Sequence, residues 1–177
     1  MASQNINLTT LKKHLKQAPK EELIADITEL FKKFQPVKEY YQLNLSPETE
    51  QQVAASYKKT IENEFFPARG IGNARLSVAR KAVMDYKKVC QDPAALVDMM
   101  LFYVEQGVQF TTAYGDIDEP FYNSMETMFE KATKTIAQHG LHGIAQRRCR
   151  KIVSDTSHMG WGFHDTLSEI YAETFGA

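Results

Sequence analysis

"AALVDMMLFYV", residues 94–104, decides what kind of molecule this chain forms. Ten of its eleven residues are apolar, and the exception is Asp98. A helix that is apolar almost all round has no face to offer water, so this segment, about residues 93–111, is expected to be the central buried helix of a core. Its longest unbroken apolar run, "MMLFYV" at 99–104, is far short of the roughly 20 residues that cross a bilayer.

Outward from that segment the apolar residues form stripes with the 3.6-residue helical repeat. Leu23, Ile24, Ile27, Leu30, Phe31 and Phe34 make one, and Val53, Tyr57, Ile61 and Phe65 another. Leu76, Ala79, Val83, Tyr86 and Cys90 follow, then Phe121, Met125, Met128, Phe129, Ala132 and Ile136. Phe163, Leu167, Ile170 and Tyr171 close the series. Pro36, Pro47, Pro93 and Pro120 stand where first helical turns begin, Ser46 and Asp92 are placed to cap, and Gly140 is placed to end a helix. No stretch alternates with period two beside turn residues, so no sheet is expected. The expectation is an all-α fold of about seven to eight helices, antiparallel hairpins packed as a short solenoid-like array or an irregular bundle. One domain spans residues 1–177, with 1–8 as a flexible N-terminus.

Composition excludes several classes. The 177 residues carry 21 basic and 22 acidic side chains, so no global field draws the chain to nucleic acid or an anionic membrane. Cys90 and Cys149 stand far apart without a CxxC partner, which argues against structural zinc and for a reduced, cytoplasmic setting. The polar start "MASQNINLTT" is unlike a signal peptide.

"FFPARGIGNARLSVARK", residues 65–81, is the most informative candidate site. Gly70 and Gly72 turn the chain, Asn73 is placed to cap the next helix, and Arg69 and Arg75 flank the turn. Backbone N–H groups at a helix start attract an anion. Arg75 in the first turn is disfavoured by roughly 0.3–1 kcal/mol unless something negative answers it. With Arg80 these residues form an expected ligand-binding set; the plainer reading is a tight turn whose arginines pair with the protein's own acids. Candidate internal partners are Asp116, Asp118 and Glu119 in "YGDIDEPFYNSM", which also suit N-capping or, alternatively, Mg²⁺ or Ca²⁺. Asp98 and Glu105 lie seven apart on the apolar helix and need cations if they point inward, with Arg75, Arg80 and Lys81 nearest in sequence.

"RRCRK" at 147–151 puts Arg147, Arg150 and Lys151 on one helical face, a weak nucleic-acid candidate against a solvated surface. "SHMGWGFHDT", residues 157–166, reads as the packed entry to a last helix with Trp161 as its anchor, while His164 and Asp165 are candidates for a pocket rim. His spacing there matches no zinc motif, and the Ser–His–Asp combination lacks a nucleophile elbow. No catalytic residue, metal site or cofactor is expected.

Four segments in order, "LKKHLKQAPKEELIADITELFKKFQPVKEYY", "FFPARGIGNARLSVARKAV", "YGDIDEPFYNSME" and "GWGFHDTLSEIY", resemble a family of small bacterial proteins, the domain of unknown function number 6155. The resemblance runs from near Leu8 to Tyr171 and implies a free-standing, all-helical bacterial protein. It implies no activity. Many relatives place Ser or Thr before "KEEL", where this chain has Ala18-Pro19, which bears on the cap of the second helix.

Two functional classes follow: a binding or scaffold module that takes a protein or an anionic small molecule through Arg69, Arg75 and Arg80, and a metal-assisted hydrolase or phosphoryl-transfer enzyme using Asp98, Glu105, Asp116 and Asp118. The first is the better supported, because no motif demands chemistry.

Overall fold

The computed structural model describes residues 6–176. Among them the fold is all-helical, with nine α-helices and one 3-10 turn, and no strand. The expected flexible stretch 1–8 falls largely outside the described residues, and Leu8 already opens the first helix.

The central helix is the expected one. It runs Pro93–Tyr114, and eleven of its 22 residues are buried. Asp92 caps it by accepting a hydrogen bond from the Ala94 amide, and Pro93 sits in the first turn, where it forfeits no bond. Around it stand the helices Glu50–Phe65, Leu76–Val89, Glu119–His139, His142–Asp155 and Phe163–Phe175. With the N-terminal helices Leu8–Gln17, Lys20–Lys33 and Gln35–Leu45 these are α1 to α9 in chain order, and the central helix is α6.

α6 packs against α4, α5, α7 and α8, while α9 closes the bundle on α7 and α8. One element thus touches four others, an arrangement of helices around a shared axis. In a solenoid each repeat would meet only its neighbours. Among the described residues all buried apolar side chains lie at Val53 or later; Phe65, Tyr103, Met125 and Phe129 are among those wholly enclosed. Phe65 sits edge-on to Tyr103, Phe110 and Phe121, which locks α4, α6 and α7 together.

Nine helices replace the expected seven or eight because the N-terminal third is broken twice. Ala18 and Pro19 are extended between α1 and α2. A single extended residue, Phe34, then ends α2 and begins α3, with Pro36 in the first turn that follows. Ser46 ends α3 rather than capping a helix; its carbonyl accepts from the Thr49 hydroxyl in the 3-10 turn Pro47–Thr49. Gly140 ends α7 in the left-handed conformation, as expected. Among the described residues no helix is long and apolar enough to cross a membrane.

Candidate functional site

The turn at 66–75 is built inward. Gly72 lies against the end of α4: a Cβ added there would fall 1.9 Å from the Phe65 carbonyl oxygen, so no larger residue fits without moving backbone. Ala74 adopts a left-handed φ of 44° while its amide donates to the Glu64 carbonyl. Arg75 follows as the N-cap residue of α5, and its guanidinium donates from Nε and Nη2 to both carboxylate oxygens of Glu64 at 2.8 Å. That hydrogen bonding holds the buried Glu64 carboxyl below its usual range. The charge that answers Arg75 therefore comes from the preceding helix, not from the later acids or a ligand. Asn73 is exposed and does not cap α5. Arg69 and Arg80 are exposed too, and the ion pairs among the described residues do not include them.

Asp98 and Glu105 do meet, through a cation that sequence distance concealed. Arg148 on α8 donates to Glu105 through Nε and Nη2, at 2.6 and 2.7 Å, and to Asp98 through Nη1 at 2.5 Å. Lys58 on α4 bonds the other Asp98 oxygen at 2.6 Å and lies 5.2 Å from the Phe102 ring centroid. Partial burial pushes the Asp98 carboxyl up, but the bonds from Lys58 and Arg148 outweigh it and the net shift is downward. Burial likewise works against the Arg148 charge, and the two carboxylates overcome it. The partners are thus not Arg75, Arg80 or Lys81. The four charges close on one another and seam α4, α6 and α8.

The acids before α7 have separate tasks. Asp118 caps the helix by accepting from the Phe121 amide at 2.9 Å, and Glu119 lies in its first turn. Asp116 accepts from the Tyr122 hydroxyl at 2.6 Å, and its other oxygen lies against Gly160. Burial first, then this bond, pushes the Tyr122 hydroxyl up to about 12.

Trp161 is not an anchor: it is 62% exposed with φ at 62°, and the buried residues of that turn are Met159 and Phe163. His164 is half-buried, its Nδ1 within 3.0 Å of the Thr156 hydroxyl and 3.2 Å of the Val153 carbonyl, which ties α9 to the end of α8. Asp165 is exposed in the first turn of α9, where a carboxylate favours the helix dipole. Of the basic cluster, Lys151 pairs with Asp155 and Arg150 donates to the Tyr171 hydroxyl, leaving Arg147 exposed. A groove of about 460 Å³ between α6 and α8 is lined by Gln109, Thr112, Ser154, Asp155 and His158, with no hydrogen bond between that serine and histidine among the described residues.

The surface that stands apart lies in the N-terminal third, where the sequence marks the helical stripe from Leu23 to Phe34. Ten of the fourteen exposed large apolar side chains precede residue 46. Leu8, Leu11 and Leu15 line one face of α1, and Ile24, Ile27, Leu30 and Phe34 line α2. Neither helix has a buried residue. α1 makes no more than marginal contact with any other helix, α2 packs on α3, and α3 is carried by α5. The tether is mixed: Leu43 packs against the core, and the buried carboxylate of Glu39 accepts from the Tyr57 hydroxyl at 2.5 Å and, within α3, from the Gln35 amide at 2.8 Å. Beside α2 a concavity of about 320 Å³ is lined by Asp26, Glu29, Leu30, Lys33 and Phe34.

Among the described residues no group of three or more His, Cys, Asp or Glu side chains is arranged to hold a metal ion. No curated protein and no solved structure matches the chain. A family model does match, over residues 6–175, which takes in both the bundle and the arm formed by α1–α3; the chain therefore belongs to DUF6155, a family of unknown function.

Proposed function

We propose that this protein is a non-catalytic binding module whose contact surface is the apolar face of α1 and α2. One observation carries the reading: two amphipathic helices present seven large apolar side chains, each 39–64% exposed, beside a bundle whose core is complete without them. Summed over the two helices, that is on the order of 600 Å² of apolar surface, comparable to the largest contiguous patch on a typical monomer. Patches of this kind mark sites where another protein binds.

The carboxylates of the metal-enzyme alternative support the same choice, because each is already engaged. Asp98 and Glu105 are held by Arg148 and Lys58, Asp116 by Tyr122, and Asp118 by the α7 amide. Of the arginine set, Arg69 and Arg80 remain available to an acidic partner, whereas Arg75 belongs to Glu64.

Photo-crosslinking in the cells that make the protein tests this. Probes at Leu11 and Ile27 are expected to give discrete protein adducts that Leu15→Glu abolishes, while a probe at the exposed Gln138 of α7 gives none. Equal labelling from all three positions would count against the arm as a binding surface.

A further inference from the structure

We infer that the occupant of this face is a second copy of the chain, with α1 of each copy laid on α2 of the other. The inference rests on the reading of the arm as a protein-binding surface and names its partner.

Charge is the first argument. α1 carries Lys12, Lys13 and Lys16 and no acid, whereas the first ten residues of α2 hold four acids, Asp26 and Glu29 among them, against the single base Lys20, and only its last turn, with Lys32 and Lys33, is basic. Like helices would repel and unlike ones attract, so the favoured pairing is α1 with α2. Within one chain that pairing does not form: Ala18 and Pro19 hold ψ at 139° and 150°, and the two helices make no more than marginal contact. It is left to form between chains.

Shape agrees. Leu8, Leu11 and Leu15 are spaced three and four apart, as are the α2 residues that oppose them, the spacing of a two-helix seam. The concavity beside Leu30 and Phe34 has Asp26 on its edge and Glu29 paired with Lys33, so an entering leucine of α1 brings its flanking lysines first to Asp26. Length and size agree as well. A ten-residue helix with nothing to pack on lies below the roughly 12–15 residues at which isolated helices hold in water. Two arms together would bury on the order of 1,200 Å², where specific interfaces begin. Because the α1–α2 contact occurs twice, the patch is self-complementary and closes as a two-fold dimer.

The full-length purified protein provides the test, by light scattering on a sizing column and by sedimentation. At about 100 μM a dimer is expected. Lys12→Glu with Lys16→Glu makes both helices acidic, and Asp26→Lys with Glu29→Lys makes both basic. Each double variant alone is expected to dissociate with at least a tenfold higher Kd, and an equimolar mixture of the two to recover the dimer. Leu11→Glu gives a monomer whose bundle keeps its thermal unfolding. A monomeric wild-type protein, a dimer indifferent to the charge reversals, or a monomer that instead floats with anionic vesicles overturns the inference. Adducts with a different protein at Leu11 in cells, beside a monomer in solution, would overturn it while leaving the arm as a binding surface.

Discussion

Leu101 and Leu11 are the same side chain on helices of the same hand, and one is 1% exposed while the other is 44% exposed. Leu101 belongs to α6, which is surrounded by four helices; Leu11 belongs to α1, which makes no more than marginal contact with any other. α6 is apolar on nearly every side, whereas α1 confines its leucines to one stripe. Periodicity records that a face is suited to burial, not which surface buries it. In α4–α9 the chain covers most of its own apolar faces, and in the arm it leaves them exposed.

That contrast can be broken or sharpened by measurement. The largest effect is expected in the core: Phe65→Ala removes a ring shared by α4, α6 and α7 and should cost about 3–5 kcal/mol in chemical denaturation. Gly72→Ala comes next, at about 2 kcal/mol, since backbone rather than a side-chain tip must yield to the new methyl. Arg148→Met leaves Glu105 without its cation and Asp98 with Lys58 alone. Discounted for the partial exposure of this seam, the loss should be about 1–2 kcal/mol, and replacing the two acids with leucine as well should restore most of it.

A smaller effect follows acid. The carboxyls of Glu64 and Asp98 titrate lower in the folded protein than in the unfolded chain. Below their unfolded range the unfolded chain binds more protons, so their contribution is present at neutral pH and fades as pH falls through about 4 and lower. Urea midpoints from pH 6 to pH 3 should fall less steeply for Asp98→Asn than for wild type. The smallest stability effect belongs to the arm. Leu11→Ala should change the unfolding of a monomer by less than about 0.5 kcal/mol, as a surface substitution does. A loss there as large as that of Phe65→Ala would mean that the arm is part of the core and would erase the comparison.

Much of the fold was legible. The Ala94–Val104 run marks the central helix because an element apolar on every side has only one stable place. Asp92, Asp118 and Gly140 mark helix ends because capping depends on residues one to three positions away. Asn73 and Ser46 misled for the same local reason: each has the right chemistry for a cap, but the chain does not start a helix there. The candidate site was legible only in part. Asp98 and Glu105 were singled out correctly as acids in need of cations, but Arg148 lies 50 and 43 residues away and nothing in its surroundings announces it. Glu39, buried under Tyr57, gave no signal at all, since a glutamate between Lys38 and Tyr40 reads as solvated helix surface.

What the sequence alone determined is the all-helical class, the identity of the central helix and the family, for these rest on local periodicity and on ordered segments read along the chain. Only the tertiary structure decided which acid answers which arginine and which apolar stripe stays in water. Both are questions of distance between residues far apart in the chain, and a stripe of leucines has the same spacing whether or not another helix comes to cover it.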